Sequence, residues 1–294
     1  MALYAKRRRL DDDSPAIGFG TYKLGQRTEA CVLRALRMGY RLIDCAQVYS
    51  NEKAVGAAIA RSKIPREEIW VESKIWKTKH GYDNAKASCL QSLKDLNLGT
   101  VDIMLIHHPD CKRGWPLKSG QTLPRDWTPK MRQDTWRAME DLHFSGKLKR
   151  IGVSNYSKRH LEELLQSCRV KPYVNQIELH PMNQQQELVQ FCRDQGIRLQ
   201  AFASLGGGDS CGKLLQHTDV QAVATQLGKT SAQVLLKWAV AKGFHIIPKT
   251  SSELRMKENM DLDFELNEQQ MASLDRLECG KRLTWKGVDP ASIE

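Results

Sequence analysis

Residues 41–59 read RLIDCAQVYSNEKAVGAAI and contain one strand-to-helix unit. The run Arg41–Cys45 predicts a short β-strand, and Asn51–Arg61 can form the helix that follows it. Asp44 stands near the end of the strand, and Tyr49 follows five residues later in the loop. A strand followed by a helix is the repeating unit of α/β folds, so the number of such units decides the architecture.

The same unit recurs along the chain. The predicted strands are Ala16–Gly20, Arg41–Cys45, Ile69–Lys74, Val101–His107, Arg150–Ser154, Tyr173–Glu178, Arg198–Ala203 and His245–Lys249. Helices are predicted at Thr28–Met38, Asn51–Arg61, Asp83–Leu96, Asp134–His143, Ser157–Gln166 and Gln184–Asp194, and a capping box at Thr230–Gln233 opens another. Near-continuous apolar strands indicate a parallel sheet with both faces buried. Eight units in about 250 residues favour an α/β fold of the (β/α)8 TIM-barrel type in one domain, although periodicity alone does not exclude an open sheet.

Two connections are longer than a minimal unit needs. Asp110–Lys130 lies between the fourth strand and its helix, and Gly206–Gly212 opens a long connection after the seventh strand. In a barrel, both would be loops on the face where active sites lie. Loops of this length are more often lids or pocket walls than spacers.

Composition limits the class of protein. The chain has 294 residues, a formal net charge of +11 and 41 % hydrophobic residues, which excludes wholesale disorder. It has no run of about 18 apolar residues, so we expect no transmembrane helix. The start MALYAKRRRLDDDS lacks the apolar region of a secretory signal, and we therefore expect a cytoplasmic protein. The positive charge leaves nucleic acid, an anionic membrane and a phosphate-rich small ligand open as partners.

Cysteine and histidine spacing does not favour a metal site. The eight cysteines are spread along the chain without a C-x-x-C pair, so reduced thiols are expected. His107 and His108 are adjacent, and on a strand they would point to opposite faces. We therefore expect no bound metal.

Two glycine-containing stretches resemble nucleotide-binding motifs but lack a required residue. The stretch at 18–25 would need glycine at position 23 for a dinucleotide fingerprint, and that residue is Lys23. The stretch at 207–214 ends in Leu214, where a P-loop needs a hydroxyl for Mg²⁺. Neither motif is predicted to bind a nucleotide in the usual way.

Four polar residues lie at or just beyond the ends of early strands: Asp44, Tyr49, Lys74 and His107. Each alone has an ordinary structural role, such as a turn, packing or a surface charge, but a barrel would bring all four to one mouth. A lysine ammonium near a tyrosine would lower the pKa of the phenol, and an aspartate would hold that lysine. A histidine facing the same cavity could donate a hydrogen bond to a substrate oxygen. This set suits protonation of an alkoxide formed when hydride reaches a carbonyl.

These residues stand within motifs that resemble the aldo-keto reductase family. The motifs are RLIDCAQVYSNEKAVGAAI (41–59), VESKIW (71–76), LIHHP (105–109), IGVSNY (151–156), VNQIELHP (174–181) and IIPKTSSELRMKEN (246–259). They follow the order of the family over roughly residues 16–280. The resemblance implies a (β/α)8 barrel and an NADPH-dependent reductase of the alcohol dehydrogenase (NADP+) or aldehyde reductase type.

The resemblance also implies roles for individual residues. Tyr49 would be the proton donor, Lys74 its partner, Asp44 the partner of Lys74, and His107 the group that orients the carbonyl. The NADPH/NADP+ site would comprise Gly20, Thr21, Tyr22, Asp44, Ser154, Asn155, Gln176, Phe202, Ser204, Leu205, Lys249, Thr250, Ser251, Arg255, Glu258 and Asn259. The substrate would contact Tyr22, Trp76, His107 and His108. Within these sets, Phe202 would stack on nicotinamide, and Lys249 and Arg255 would bind the 2′-phosphate.

The sequence departs from the family at several of these positions. Tyr22 and His108 stand where many relatives have tryptophan, and Phe202 stands where the family usually has tyrosine. We expect His108 to give the substrate pocket a more polar, titratable wall. We divide the chain into a short charged segment at 1–15, the barrel at 16–280, and a C-terminal tail at 281–294 that borders the substrate site.

Three functions therefore follow from the sequence, in decreasing order of support. The first is a monomeric reductase acting on small carbonyl substrates. The second is an NADP(H)-binding sensor or regulatory barrel with little turnover, against which the intact set of four residues speaks. The third is nucleic-acid binding, which would require a basic stripe with interleaved aromatics, whereas Lys and Arg are dispersed here.

Overall fold

Eight short strands follow one another along the chain, and each pairs in parallel with the next. They are β1 Phe19–Gly20, β2 Leu42–Asp44, β3 Trp70–Ile75, β4 Ile103–Ile106, β5 Ile151–Ser154, β6 Val174–Glu178, β7 Arg198–Phe202 and β8 His245–Ile246. The computed structural model describes residues 14–111, 127–207, 211–284 and 289–293. All eight predicted strands are confirmed, with trimmed ends, whereas most of the charged N-terminal segment lies outside the described residues.

The first and last strands join, so that the sheet forms a closed barrel. The Gly18 amide donates a hydrogen bond to the Ile246 carbonyl at 2.7 Å, and the Ile246 amide donates to the Ala16 carbonyl at 2.9 Å. A further bond runs from the Gly20 amide to the Pro248 carbonyl at 3.1 Å. The structure therefore confirms the predicted (β/α)8 barrel and excludes the open sheet.

Helices surround the strands and alternate with them. They are α1 Thr28–Arg37, α2 Glu52–Ser62, α3 Tyr82–Leu96, α4 Trp127–Phe144, α5 Lys158–Leu165, α6 Gln186–Asp194, α7 Cys211–Leu215, α8 Thr218–Leu227, α9 Ser231–Ala241, α10 Glu253–Met260 and α11 Glu268–Asp275. Thr230 caps α9 through the predicted capping box. The helix ends generally lie within two residues of the prediction, because the apolar periodicity that sets them is local.

Two predicted connections need correction. The helix after β4 begins at Trp127 rather than Asp134, so the loop is shorter than predicted; Pro129 lies in the first turn, where no backbone N–H is required. Residues 112–126 of that loop lie outside the described part. The connection after β7 contains α7 and α8. The sequence does not predict these two helices, because the glycines at 206–212 are typical of a loop.

Side chains alternate along each strand between the barrel interior and the surrounding helices. Ile43, Val71 and Met104 pack in the large cluster between sheet and helices. Leu42, Leu105 and other apolar residues fill one layer of the interior. The polar residues Asp44, Glu72, Lys74, Gln176 and Gln200 lie in the same interior, each with less than 4 % of its surface exposed. The interior thus changes from apolar to polar along the strands, and the polar part supports the mouth.

Gly56 allows α2 to approach the end of α3, and we predict that a side chain at this position destabilises the protein. A Cβ atom at position 56 would overlap the backbone carbonyl of Leu96. Gly56→Ala is therefore expected to lower the free energy of unfolding by about 1–3 kcal/mol in a urea titration. Gly99→Ala is the matched control, since a Cβ there meets nothing within 4 Å, and its expected effect is below about 0.5 kcal/mol. Equal stability of the two variants would contradict the close approach.

Candidate active site

The four polar residues at the early strand ends lie together in the structure. Asp44 is the last residue of β2, Lys74 lies in β3, and His107 directly follows β4. Tyr49 ends a 3-10 turn at Gln47–Tyr49, which brings its ring back over the mouth. The ring centroid of Tyr49 is 5.3 Å from Lys74 Nζ and 5.7 Å from the ring centroid of His107.

Lys74 and Asp44 form a buried ion pair. Their side chains are 0 % and 4 % exposed, and Lys74 Nζ donates hydrogen bonds to Asp44 Oδ1 and, at 3.1 Å, to the Cys45 carbonyl. Burial by itself would lower the pKa of Lys74, but the charge of the Asp44 carboxylate raises it above its usual range. The lysine therefore remains a cation beside the tyrosine.

Burial raises the pKa of the Tyr49 phenol well above its usual range, whereas the Lys74 charge lowers it. The lysine therefore acts in the predicted direction, but the loss of hydration outweighs its charge, an effect that the sequence does not predict. The phenol thus keeps its proton at neutral pH. Part of Tyr49 is nevertheless open to solvent, so a ligand can reach it.

His107 faces the same space as a neutral imidazole. Burial lowers the pKa of His107 well below its usual range, and the charges of Lys74 and His108 lower it further. The backbone of His107 is fixed on both sides, since its amide donates to the Ile75 carbonyl at 3.0 Å and its carbonyl accepts from Asn155 Nδ2 at 2.9 Å. A neutral imidazole carries one N–H and can donate a single hydrogen bond to an oxygen.

Of the four predicted substrate contacts, Tyr22 and His107 lie beside Tyr49, Trp76 lies beside His107, and His108 is placed differently. The Tyr22 ring lies 5.0 Å from the Tyr49 ring and is 52 % exposed, and the Trp76 ring lies 5.1 Å from His107. His108 is only 1 % exposed, and its Nδ1 accepts a hydrogen bond from the Asp110 amide at 3.1 Å. The structure therefore holds His108 in the turn of its own loop instead of on an open wall.

The predicted nicotinamide contacts are connected to one another. Asn155 Nδ2 donates to Ser154 Oγ at 3.0 Å, and Ser154 Oγ donates to the Gln176 carbonyl at 2.8 Å. Phe202 ends β7 next to β6 and is half-buried. Asn155 has a φ of +62°, a left-handed conformation that asparagine tolerates better than most residues. This edge of the mouth thus combines polar groups with one aromatic face.

The predicted phosphate contacts gather around the start of α10 and the neighbouring loops. Lys249 and Arg255 are exposed, Thr250 and Asn259 are buried, and Ser251 and Glu258 are intermediate. Arg27 was missed from the sequence: its Nη1 donates to Ser251 Oγ at 3.2 Å. Nothing in the sequence distinguishes Arg27 from other surface arginines, because its partner lies 224 positions away.

The remaining predicted cofactor contacts lie at the mouth, between the residues predicted to contact phosphate and those predicted to contact nicotinamide. Gly20 leaves room for the neighbouring strand, since a Cβ there would lie 2.7 Å from the Ile247 carbonyl oxygen. Thr21 Oγ1 donates to the Asp44 carbonyl at 2.8 Å, which ties the loop after β1 to β2. After β7, Ser204 Oγ donates to the Ala201 carbonyl at 3.3 Å, and Leu205 follows it.

A cavity of about 600 Å³ lies beside the four-residue cluster instead of over it. Asn155 and Tyr156 line one side, and Pro290 and Ala291 of the C-terminal tail line another. The tail is attached there because His160 Nε2 is 2.8 Å from the Ile293 carbonyl oxygen. Its start is bound to β6, where the Thr284 amide donates to the Glu178 carboxylate at 3.3 Å.

No helix among the described residues is long and apolar enough to cross a membrane. Within the same parts of the chain, no group of three or more His, Cys, Asp or Glu residues could hold a metal ion.

Comparisons with known proteins give a consistent result. The model of the Aldo/keto reductase family matches residues 16–278. The 9,11-endoperoxide prostaglandin H2 reductase of Trypanosoma cruzi (strain CL Brener) is 38 % identical over 279 residues, which cover 94 % of this chain and 91 % of that protein. The glyoxal reductase of Bacillus subtilis (strain 168) is 39 % identical over 274 residues, covering 92 % and 91 %.

Solved structures agree with the sequence relatives. MGS-M4, an aldo-keto reductase enzyme from a Medee basin deep-sea metagenome library, superposes with a TM-score of 0.83 at 35 % identity, covering 93 % of this chain and 95 % of that one. A Bombyx mori aldo-keto reductase in complex with NADP has a TM-score of 0.81 at 29 % identity, covering 94 % and 93 %.

Proposed function

Because this chain belongs to the aldo-keto reductase family, we propose that it is an NADPH-dependent oxidoreductase that reduces aldehydes and ketones to alcohols. The observation that carries the proposal is the cluster at the mouth, where the buried Lys74–Asp44 pair lies beside the protonated Tyr49 phenol and opposite the neutral His107. Each group is in the protonation state that carbonyl reduction requires.

The residues at the mouth suit a nicotinamide dinucleotide in their donor chemistry. Cationic side chains lie at one end, in Arg27, Lys249 and Arg255, where a phosphate would be recognised. Asn155 and Ser154 lie at the other end beside the aromatic face of Phe202, as a carboxamide-bearing ring requires. When bound, the cofactor supplies the hydride.

In the proposed mechanism the remaining steps belong to the protein. His107 donates its N–H to the carbonyl oxygen and orients it. Tyr49 gives its proton to the oxygen as negative charge develops there, and the Lys74 ammonium stabilises the phenolate that remains. Asp44 fixes the lysine by the ion pair. Stabilisation therefore acts on charge that forms in the transition state, where it raises kcat.

The direct test of this function is spectroscopic. Purified protein mixed with NADPH and a simple aromatic aldehyde is expected to consume NADPH at a rate proportional to enzyme concentration, with the alcohol formed in equal amount. A panel of aldehydes and ketones extends the test. Tight NADPH binding without turnover across the panel would instead support the sensor that the sequence left as an alternative.

We predict that Arg255 contributes to preference for NADPH over NADH. Arg255→Ala is expected to raise the KM for NADPH about tenfold, because it removes a charge-assisted hydrogen bond to the extra phosphate, and to leave the KM for NADH within twofold. Lys257→Ala is the matched control: it removes an exposed cation from the same helix that pairs with Glu253 at 3.5 Å. Parallel losses with both cofactors would contradict the assignment.

The proposal also covers the organisation of the chain. The barrel comprises residues 16–280, the tail at 281–294 borders the substrate site, and the protein acts as a cytoplasmic monomer. The contacts of Pro290 and Ala291 with the cavity beside Asn155 support the position of the tail. Light scattering of the purified protein tests the monomer, for which a mass near 33.5 kDa is expected.

A further inference from the structure

A second carboxyl group lies inside the barrel against the Lys74–Asp44 pair. Glu72 precedes Lys74 by two residues on β3, so both side chains point inward, and its Cα pairs in register with that of Asp44 on β2. Glu72 is fully buried. Gln176 Nε2 donates to the carboxyl groups of both Asp44, at 3.1 Å, and Glu72, so the two carboxyls share one donor.

Charge balance in this space leaves one negative charge too many if both carboxyls are ionised. Among the described residues, Lys74 is the one lysine with a hydrogen bond to either carboxyl, and it donates to Asp44. The other neighbours, Gln176 and Gln200, are uncharged amides, and Gln176 Nε2 also donates to Gln200 Oε1 at 2.7 Å. An uncompensated charge in the interior is expensive, so one carboxyl holds a proton.

The proton belongs on Glu72. Burial and the charge of Asp44 raise the pKa of Glu72 well above its usual range, and they outweigh the opposing charge of Lys74. Both carboxyl groups accept from the same nitrogen, Gln176 Nε2, which brings them close together. In such a pair, a protonated carboxylic acid can donate its O–H to the neighbouring carboxylate.

We propose that Glu72 is a positioning residue of this site: as a neutral carboxylic acid, it donates a hydrogen bond to Asp44 and holds the Asp44 carboxylate against Lys74. The expected effect on kcat rests on the proposed reductase function, whereas the protonation state of Glu72 does not. The added donor draws part of the negative charge of Asp44 away from Lys74, so the ammonium acts more strongly on the Tyr49 phenolate. An ionised Glu72 would have the opposite effect.

Infrared spectroscopy tests the protonation state without any substrate. At neutral pH, the difference spectrum of wild type minus Glu72→Gln is expected to contain the carbonyl stretch of a protonated carboxylic acid. Carboxylate bands in its place would overturn the proposal. Glu52→Gln serves as the matched control, because Glu52 is a buried carboxyl that accepts from Ser73 Oγ at 2.6 Å, on the opposite face of β3. The difference spectrum of wild type minus Glu52→Gln gives the bands of Glu52, so they can be told apart from those of Glu72.

Kinetics test the positioning role. Glu72→Leu removes the donor and is expected to lower kcat about tenfold, with the KM for NADPH within twofold. Glu72→Gln keeps a neutral donor and is expected to restore kcat to within threefold, and its alkaline decline should begin at higher pH because an amide does not titrate. Full activity of Glu72→Leu, or equal losses in both variants with an unchanged pH profile, would overturn the proposal.

These outcomes separate the inference from the function on which it rests. If Glu72→Leu fails to fold, the infrared spectrum and the pH profile of Glu72→Gln still test whether Glu72 is a neutral donor. If wild type reduces no carbonyl compound, the reductase proposal fails, while the infrared result stands on its own. Glu52→Gln is expected to leave kcat and the pH profile unchanged, since the hydrogen bond of Glu52 runs to Ser73, on the face of β3 opposite to Lys74.

Discussion

Tyr49→Phe is expected to lower kcat for carbonyl reduction about a thousandfold and to leave NADPH affinity within twofold of wild type. The substitution removes only the hydroxyl group that gives the proton. The ring contacts with Tyr22 and His107, at 5.0 Å and 5.7 Å, involve the ring and are retained. A positioned general acid contributes roughly 10²–10⁴ in rate, and no other phenol lies as close to Lys74 among the described residues.

Stopped-flow and steady-state measurements of NADPH consumption check this result, with cofactor affinity measured by fluorescence titration. Tyr82→Phe is the matched control, because it removes a phenol hydroxyl that donates to Asp141 at 2.7 Å, between α3 and α4 in the outer layer of helices. Its kcat should equal that of wild type. Retention of more than a tenth of wild-type kcat by Tyr49→Phe would assign the proton to another donor.

The sequence predicts most of the barrel because the information that sets strands and helices is local. The run at Arg41–Cys45 and its seven counterparts each fold as apolar strands, and a capping box marks the start of α9 in both sequence and structure. The sequence predicts the start of the helix after β4 seven residues late, because the first turn of that helix contains Pro129 and polar residues that are typical of a loop. Local patterns fail where a helix begins without an apolar face.

The electrostatics of the site could not be predicted in the same way. The order of residues on parallel strands places Asp44, Lys74 and His107 at one mouth, but it does not give their hydration. The net pKa of Tyr49 depends on how much water the fold removes, and burial raises it although Lys74 lowers it as the sequence predicts. Contacts such as Arg27 with Ser251 join distant segments, so only the folded chain brings them together.

Lys74→Met is expected to abolish turnover and to destabilise the protein by about 3–5 kcal/mol at neutral pH. The side chain of Lys74 is fully buried, and its loss leaves the Asp44 carboxylate in the interior without a cation. Breaking one side of a buried ion pair costs more than the pair itself contributes, because the remaining charge has lost its hydration. Urea titration gives the stability and the NADPH assay gives the activity.

The double variant Asp44→Asn with Lys74→Met separates the two roles of the lysine. Removing both charges together leaves no uncompensated ion, so most of the lost stability should return, and a double-mutant cycle gives the coupling between the two sites. Turnover should stay at least a hundredfold below that of wild type, because the Tyr49 phenolate still lacks its cation. Losing one electrostatic stabiliser of the transition state typically costs about that much in kcat. Recovery of turnover together with stability would mean that Lys74 serves folding alone. Recovery of neither would place the lost stability in packing of the lysine stem instead of in the charge of Asp44.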